Sequence, residues 1–197
     1  TQKKLDAYET VLEKGARKQL LVISGGDGTL NETVKALMEL PRLSRPEVGY
    51  IPAGSTNDFA SSMHIPKKLP QSIDPAVRGK AVSCDVGRFN DNFFVYIAAF
   101  GAFTDVSYAT PQVTKNLLGH MAYILEGIKR AATLRGYHVV LEHDGLQEEG
   151  SFIYGMVSNS IYVGGMRIYD YEEVRLNDGL FECLFIREPQ TPLEMQE

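Results

Sequence analysis

Apolar positions along the first eighty residues follow two periods in turn. Leu5, Tyr8, Val11 and Leu12 recur at helical spacing within Lys3–Lys14 and predict an amphipathic helix. The run Leu20–Ile23 predicts a buried strand, and Val34, Leu37 and Met38 mark a helix over Asn31–Leu40 that Pro41 ends. A second short run, Val48–Ile51, predicts another strand, and Phe59–Met63 a short helix closed by Pro66. Strand, glycine-rich turn, helix, strand, turn and helix in succession are the order of a parallel α/β sheet. Ligands of such sheets gather at the carboxyl ends of the strands.

From about Val82 the period changes to two. Val82, Cys84 and Val86 alternate with Ser83, Asp85 and Gly87, and Asn90-Asp91-Asn92 turns the chain into Phe93–Phe100, which predicts a hairpin. Tyr137–Glu142 and Ser151–Ser158 pair around His143-Asp144-Gly145. Val174–Leu176 and Leu180–Ile186 pair around Asn177-Asp178-Gly179. Leu117, Leu118, Met121, Ile124, Leu125 and Ile128 define one helix. The expected fold class is α/β plus β, with an α/β domain over residues 1–80 and a β-sandwich with one helix over residues 81–197. Two clear strands make a thin sheet and the segment 188–197 gives the last strand no continuation, so the chain reads as cut at both ends.

Composition narrows the classes. The chain has 197 residues, 44% hydrophobic and 23% charged, which is ordinary for a globular protein. A net charge of -5 argues against nucleic acid as a partner. No apolar run approaches the ~20 residues of a transmembrane segment, so membrane contact is expected to be peripheral or transient and the location cytoplasmic. Cys84 and Cys183 read as two reduced core thiols. The four histidines, His64, His120, His138 and His143, lack zinc-ligand spacing.

The chemistry concentrates where the first strand breaks into Gly25-Gly26-Asp27-Gly28-Thr29. Glycines there let the backbone turn sharply and let a ligand approach it, and amides at a helix start favour a phosphate. A carboxylate beside a phosphate repels it unless a cation lies between, so Asp27 points to a metal-bound nucleotide. Asp58 follows the second strand, and in adjacent parallel strands it would share an edge with Asp27. Two such carboxylates suit Mg²⁺, which keeps several waters. Asp58 could equally cap the helix at Phe59, as could Ser55, Thr56 or Asn57. Asp85 divides evenly between solvation and function, Glu32 between support of the helix start and substrate contact. Asp178 reads as an ordinary turn residue.

Gly25-Gly26-Asp27-Gly28-Thr29-Leu30-Asn31-Glu32, followed by Pro52-Ala53-Gly54-Ser55-Thr56-Asn57-Asp58-Phe59-Ala60, resembles the diacylglycerol kinase catalytic-domain family. That family includes soluble bacterial lipid kinases and the sphingosine and ceramide kinases. The first motif is shared with NAD kinases, and the second makes the pair specific. Asp85-Val86-Gly87, Asn159 with Gly164-Gly165-Met166, and Leu176-Asn177-Asp178-Gly179-Leu180 extend the likeness over nearly the whole chain.

The resemblance implies a three-layer, NAD-kinase-like α/β nucleotide-binding domain and a β-sandwich lipid-substrate domain, with the active site in the cleft between them. It implies ATP and Mg²⁺: Gly25, Gly26, Asp27, Gly28, Thr29, Leu30 and Asn31 cradling phosphates, and Ser55 adding a nucleotide contact. Asp27, Asp58 and Asp85 would organise a water–Mg²⁺ network. A structural Mg²⁺ would take the Asp178 side chain and the carbonyls of Arg175 and Leu180. The acceptor would be a lipid hydroxyl at a membrane surface, diacylglycerol by default, with Phe100-Gly101-Ala102-Phe103 as an apolar wall or as plain core; a homodimer is compatible with the pattern. The chain departs from the family in three places. It lacks a proline between Met166 and Asn177, an Asn-Pro strand near its start, and the Asp-Gly-Glu motif that carries the family's proposed general base; Asp144-Gly145-Leu146 is a poor substitute. The rival readings are another lipid or sphingoid-base kinase, an NAD kinase, and a non-catalytic binder of nucleotide or lipid.

Overall fold

The computed structural model describes residues 3, 5–102, 104, 135–172 and 174–189. It is a mixed α/β chain in two compact units, Thr1–Ala98 with Ser158–Glu182, and Ala99–Val157 with Cys183–Glu197.

In the first unit, helix α1 (Asp6–Lys14) leads to β1 (Leu20–Gly25), α2 (Asp27–Glu39), β2 (Glu47–Pro52), the short α3 (Asp58–Ser62) and α4 (Leu69–Arg78). Strands β1 and β2 pair in parallel, Leu20 opposite Glu47 through Gly25 opposite Pro52, so both end together and deliver the two motifs side by side. Ile23, Leu30, Val34, Tyr50, Phe59, Ala60 and Val95 form the core beneath them. Val11 of α1 packs with Ala36 and Leu37 of α2 in a second cluster.

Helix α4 was not readable from the pattern, because Pro70 and Pro75 interrupt it. Pro70 falls in the first turn, where a missing N–H costs little, and Pro75 sits inside the helix. The helix lies on β2 at Gly49, where a Cβ would stand 1.9 Å from the Ala76 carbonyl oxygen.

After α4 come β3 (Gly87–Phe89) and β4 (Asn92–Phe94), an antiparallel pair, and then β5 (Ile97–Gly101). The expected strand over Val82–Val86 does not form. Cys84 and Val86 pack instead on the α/β core, which also buries Val95. In keeping with that packing, the stretch to Ala98 belongs to the same compact unit as the α/β sheet.

The second unit is built on β6 (Tyr137–His143) and β7 (Leu146–Ser158), a hairpin whose register runs from Tyr137 opposite Phe152 to His143 opposite Leu146. Its two-residue turn, Asp144 at φ 48° and Gly145 at φ 78°, has the doubly left-handed form that matches strand twist. Strands β5 and β10 (Glu182–Arg187) also pair with β7, giving a four-stranded sheet. Phe100 meets Tyr137 edge-on at 5.5 Å and Phe185 at a tilt at 6.3 Å, and Phe100 and Phe185 fit because Gly155 has no Cβ. That placement makes Phe100 a packing residue; Phe103 lies outside the described residues.

Strands β8 (Tyr162–Val163) and β9 (Met166–Arg167) form a small hairpin in the first unit. The hairpin expected over Val174–Ile186 is absent. Val174 and Leu176 are buried with Ile161, while Glu182–Arg187 joins β7. The helix expected over Leu117–Ile128, and His120 within it, lie outside the described residues. Cys84 is half-buried but Cys183 is exposed, so only one of the two thiols is the core residue expected. His64 stacks on Tyr171 at 4.6 Å, and His138 and His143 stand at the surface beside Glu149 and Asp144.

Candidate functional site

Helix α2 starts at Asp27, four residues before the expected Asn31, so the second half of the glycine motif is helical rather than loop. Leu30, 3% exposed, drives this: its side chain belongs to the core and its amide bonds the Gly26 carbonyl at 3.1 Å. Gly25 makes room for the Thr29 side chain, whose atoms lie 2.6 Å from where a Cβ would be. Gly26 meets Gly54 of the second motif backbone to backbone. Gly28 faces open space, with nothing within 4 Å of a would-be Cβ. First-turn amides of a helix have no partner within it, and together they favour an anion.

Asp27 reaches from this first turn to the next helix. Its Oδ1 accepts the Phe59 amide at 3.1 Å, and its Oδ2 accepts the Asp58 amide at 3.1 Å and the Thr56 hydroxyl at 3.3 Å. The cap of α3 therefore comes from a residue thirty positions away in sequence rather than from Ser55, Thr56, Asn57 or Asp58, none of which caps it by side chain. Asn57 takes the left-handed conformation, φ 53°, and closes its own turn by bonding Gly54 twice at 2.8 Å. Ser55 is left exposed at the tip.

Asp58 is 1% exposed. Its Oδ2 accepts the Tyr96 hydroxyl at 2.7 Å, and both oxygens accept the Gly165 amide at 3.0 Å. The Gly164 amide bonds the Tyr96 oxygen in turn, also at 3.0 Å. Gly164 and Gly165, at φ 63° and 84°, form the β8–β9 turn, so one buried carboxylate ties that turn to α3. Burial raises the Asp58 pKa, Tyr96 and Gly165 counter it, and the Asp27 charge adds to the rise. Burial and the Asp58 charge push the Tyr96 hydroxyl far up, so it stays a donor.

Asp85 stands apart from this pair. Its Oδ2 accepts the Gly179 amide at 2.7 Å, and its amide bonds Leu176 O. Asn159 bridges the Asp85 and Leu176 carbonyls from its Nδ2 at 3.1 and 3.2 Å. Asp178 closes the same turn by accepting the Leu180 amide at 3.0 Å. Glu32, weighed for the helix start or the substrate, instead accepts the Leu5 amide at 3.1 Å and anchors α1.

Of the residues picked from sequence, the structure joins Gly25–Asp27 to Gly54–Asp58, and Asp85 to Asp178–Leu180. Leu30 is turned into the core, and Asn31 toward the Val95 amide at 3.4 Å. Tyr96 and the capping role of Asp27 were missed. Tyr96 sits in an apolar stretch that reads as strand, and no local spacing marks a bond between residues 38 positions apart. A cavity of about 460 Å³ beside Lys18, Gln19, Arg45 and Glu47 lies at the amino ends of the strands, away from these motifs.

Among the described residues no three His, Cys, Asp or Glu side chains gather to hold a metal ion. Both Asp27 oxygens are engaged and Asp58 is buried. The donor set fits an ion held chiefly by phosphate oxygens and water, the habit of Mg²⁺, and does not fit a dedicated carboxylate cage. No described helix is long and apolar enough to cross a membrane.

Residues 1–89 match the family model described as the diacylglycerol kinase catalytic domain. The chain is 33% identical over 190 residues to the diacylglycerol kinase of Staphylococcus carnosus (strain TM300), covering 95% of this chain and 60% of that protein. It is 35% identical over 184 residues to that of Bacillus subtilis (strain 168), covering 92% and 60%. The crystal structure of a diacylglycerol kinase from Bacillus anthracis (strain Sterne) shares the fold, with a TM-score of 0.73 at 24% identity, covering 100% of this chain and 62% of that one. A second solved chain from the same strain reaches 0.76 at 26% identity, covering 95% and 61%. The chain thus spans about 60% of the length of these curated relatives.

Proposed function

We propose, for a chain whose residues 1–89 match the diacylglycerol kinase catalytic-domain model, that the protein is an ATP-dependent lipid kinase. It transfers the γ-phosphoryl group to a lipid hydroxyl, diacylglycerol giving phosphatidic acid as the default case. Residues 1–80 carry the nucleotide side of this reading and residues 81–197 the lipid side. The observation that carries it is the Asp27 carboxylate bonded to the amides of Asp58 and Phe59, which holds two glycine-rich turns together at the ends of β1 and β2.

Phosphoryl transfer asks of the protein mainly positioning and charge neutralisation. The amides at the start of α2 would take phosphate oxygens, with Gly28 leaving the approach open and Ser55 adding a hydroxyl from the opposite turn. Asp27 would orient water around a phosphate-held cation, Asp58 holding the Gly164–Gly165 turn beside it. Mg²⁺, when bound, would neutralise phosphate charge. A second ion at Asp178 and the carbonyls of Arg175 and Leu180 belongs to the same reading, as does Asp85 through its bond to Gly179. The acceptor lipid would be met at a membrane surface.

Radiolabelled ATP incubated with the protein and mixed lipids should give a chloroform-soluble labelled product; label appearing in NADP instead overturns the lipid assignment. A second reading rests on the engagement of both carboxylates by protein donors: a nucleotide binder without turnover. Asp27→Asn separates them, since a kinase loses activity by orders of magnitude and a binder loses only some affinity.

A further inference from the structure

Lys67 follows Pro66 just beyond α3, and its ammonium donates to the Thr56 carbonyl at 2.6 Å. Thr56 is the residue between Ser55 and Asn57 in the second glycine-rich turn, and its hydroxyl is the group bonded to Asp27. Lys67 and Asp27 therefore hold the same residue of the turn, one through its carbonyl and the other through its hydroxyl. Its charge also reaches Asp58, where it favours the ionised carboxylate.

An ammonium offers three N–H donors, and the Thr56 carbonyl takes one. Among the described residues the Thr56 carbonyl is the one hydrogen-bond acceptor that Lys67 reaches, and the lysine is exposed. The local charges make the remaining donors significant. Asp27 and Asp58 are both acidic, and MgATP is itself anionic. A triphosphate arriving at the start of α2 would meet Asp27 with the buried Asp58 behind it, and helix amides carry only partial charge. Lys67 is the cation that the structure fixes to the turn at that point.

We propose that Lys67 contacts the phosphates of the nucleotide, using the Thr56 carbonyl to hold its ammonium over the turn. This rests on the kinase reading above and adds to it a binding residue. The contact is a point charge with rotating donors, so an arginine of similar reach can replace it, whereas an uncharged chain of equal length cannot.

The test measures binding of N-methylanthraniloyl-ATP with Mg²⁺ by fluorescence, against N-methylanthraniloyl-adenosine, for wild type, Lys67→Met and Lys67→Arg. A lost charge-assisted hydrogen bond to phosphate weakens the triphosphate in Lys67→Met about tenfold. Adenosine binding stays as in wild type, and Lys67→Arg returns triphosphate affinity to within about threefold of wild type. If Lys67→Met binds the triphosphate as wild type does, or loses both ligands equally, the contact is overturned while the kinase reading stands. A wild-type protein that binds no nucleotide at all overturns the kinase reading and Lys67 with it.

Discussion

The backbones of Gly26 and Gly54 touch: a Cβ on Gly54 would stand 2.4 Å from the Gly26 Cα and 2.8 Å from the Asn57 Oδ1. Neither neighbour is a flexible side-chain end, since one is backbone and the other is held by two hydrogen bonds. Gly54→Ala should therefore force the two turns apart at a cost of about 1–3 kcal/mol, the usual range for overpacking. Urea unfolding of the variant reads this directly; an unchanged midpoint would mean that the turns are not in contact.

Gly28 is the contrasting case. A methyl group there meets nothing within 4 Å, and the position is helical. Gly28→Ala should leave stability unchanged or raise it by up to about 1 kcal/mol through helix propensity. Under the kinase reading nucleotide affinity should fall, because the added methyl would stand where phosphate oxygens would approach the amides. Thermal unfolding and a binding titration on the same sample would separate the two effects.

Asp27 supplies the acceptors for the first amides of α3, so its removal has a structural cost independent of chemistry. Asp27→Ala should destabilise by about 1 kcal/mol, as for other lost helix caps. Asp27→Asn keeps one acceptor oxygen and should lose less. Equal stability of both variants with wild type would show that α3 does not depend on this bond.

Burial raises the Asp58 carboxyl above its ordinary value of 3.8 in spite of Tyr96 and Gly165. A carboxyl raised on folding favours the native state while it is protonated, and that advantage is lost as pH climbs through the raised value. Relative to Asp58→Asn, which does not titrate, wild type should lose stability between the ordinary carboxylate pKa and neutrality. Parallel urea curves for the two proteins at about pH 4 and about pH 7 check this. A gap between them that widens in favour of wild type at the higher pH would contradict the direction.

Burial, with the Asp85 charge behind it, pushes the Cys84 thiol up to about 12, whereas Cys183 is exposed. Thiolate is the reactive form, so at about pH 8 Cys84 is ionised in only about one molecule in ten thousand. A thiol reagent should modify one cysteine of the native protein, Cys183, and reach Cys84 only on unfolding. Mass spectrometry of the labelled peptides identifies which.

Features legible in the sequence were those with a local cause. The runs Leu20–Ile23 and Val48–Ile51 became β1 and β2, and Asp144-Gly145 turned the hairpin expected there. Helix α4 escaped because two prolines masked a segment whose partner, Gly49, is a distant strand residue. Val174–Leu176 has strand-like alternation, yet Ile161 and Asp85 claim it before Leu180–Ile186 can. The motifs announced Asp27 and Asp58 as a pair. Their actual connection runs through backbone amides, Tyr96 and the Gly164–Gly165 turn, none of which has a spacing rule to betray it.

Because a single carboxylate fastens α3 and also fronts the phosphate site proposed above, mutation cannot silence this protein at Asp27 without loosening it. A descendant drifting toward an idle, non-enzymatic role would tend to retain that aspartate long after its chemistry had ceased to matter. An intact acid at this position is consequently a poor witness to activity in divergent copies of the domain, and a change at Gly28 or Ser55, which the framework tolerates, would be the earlier sign of retirement.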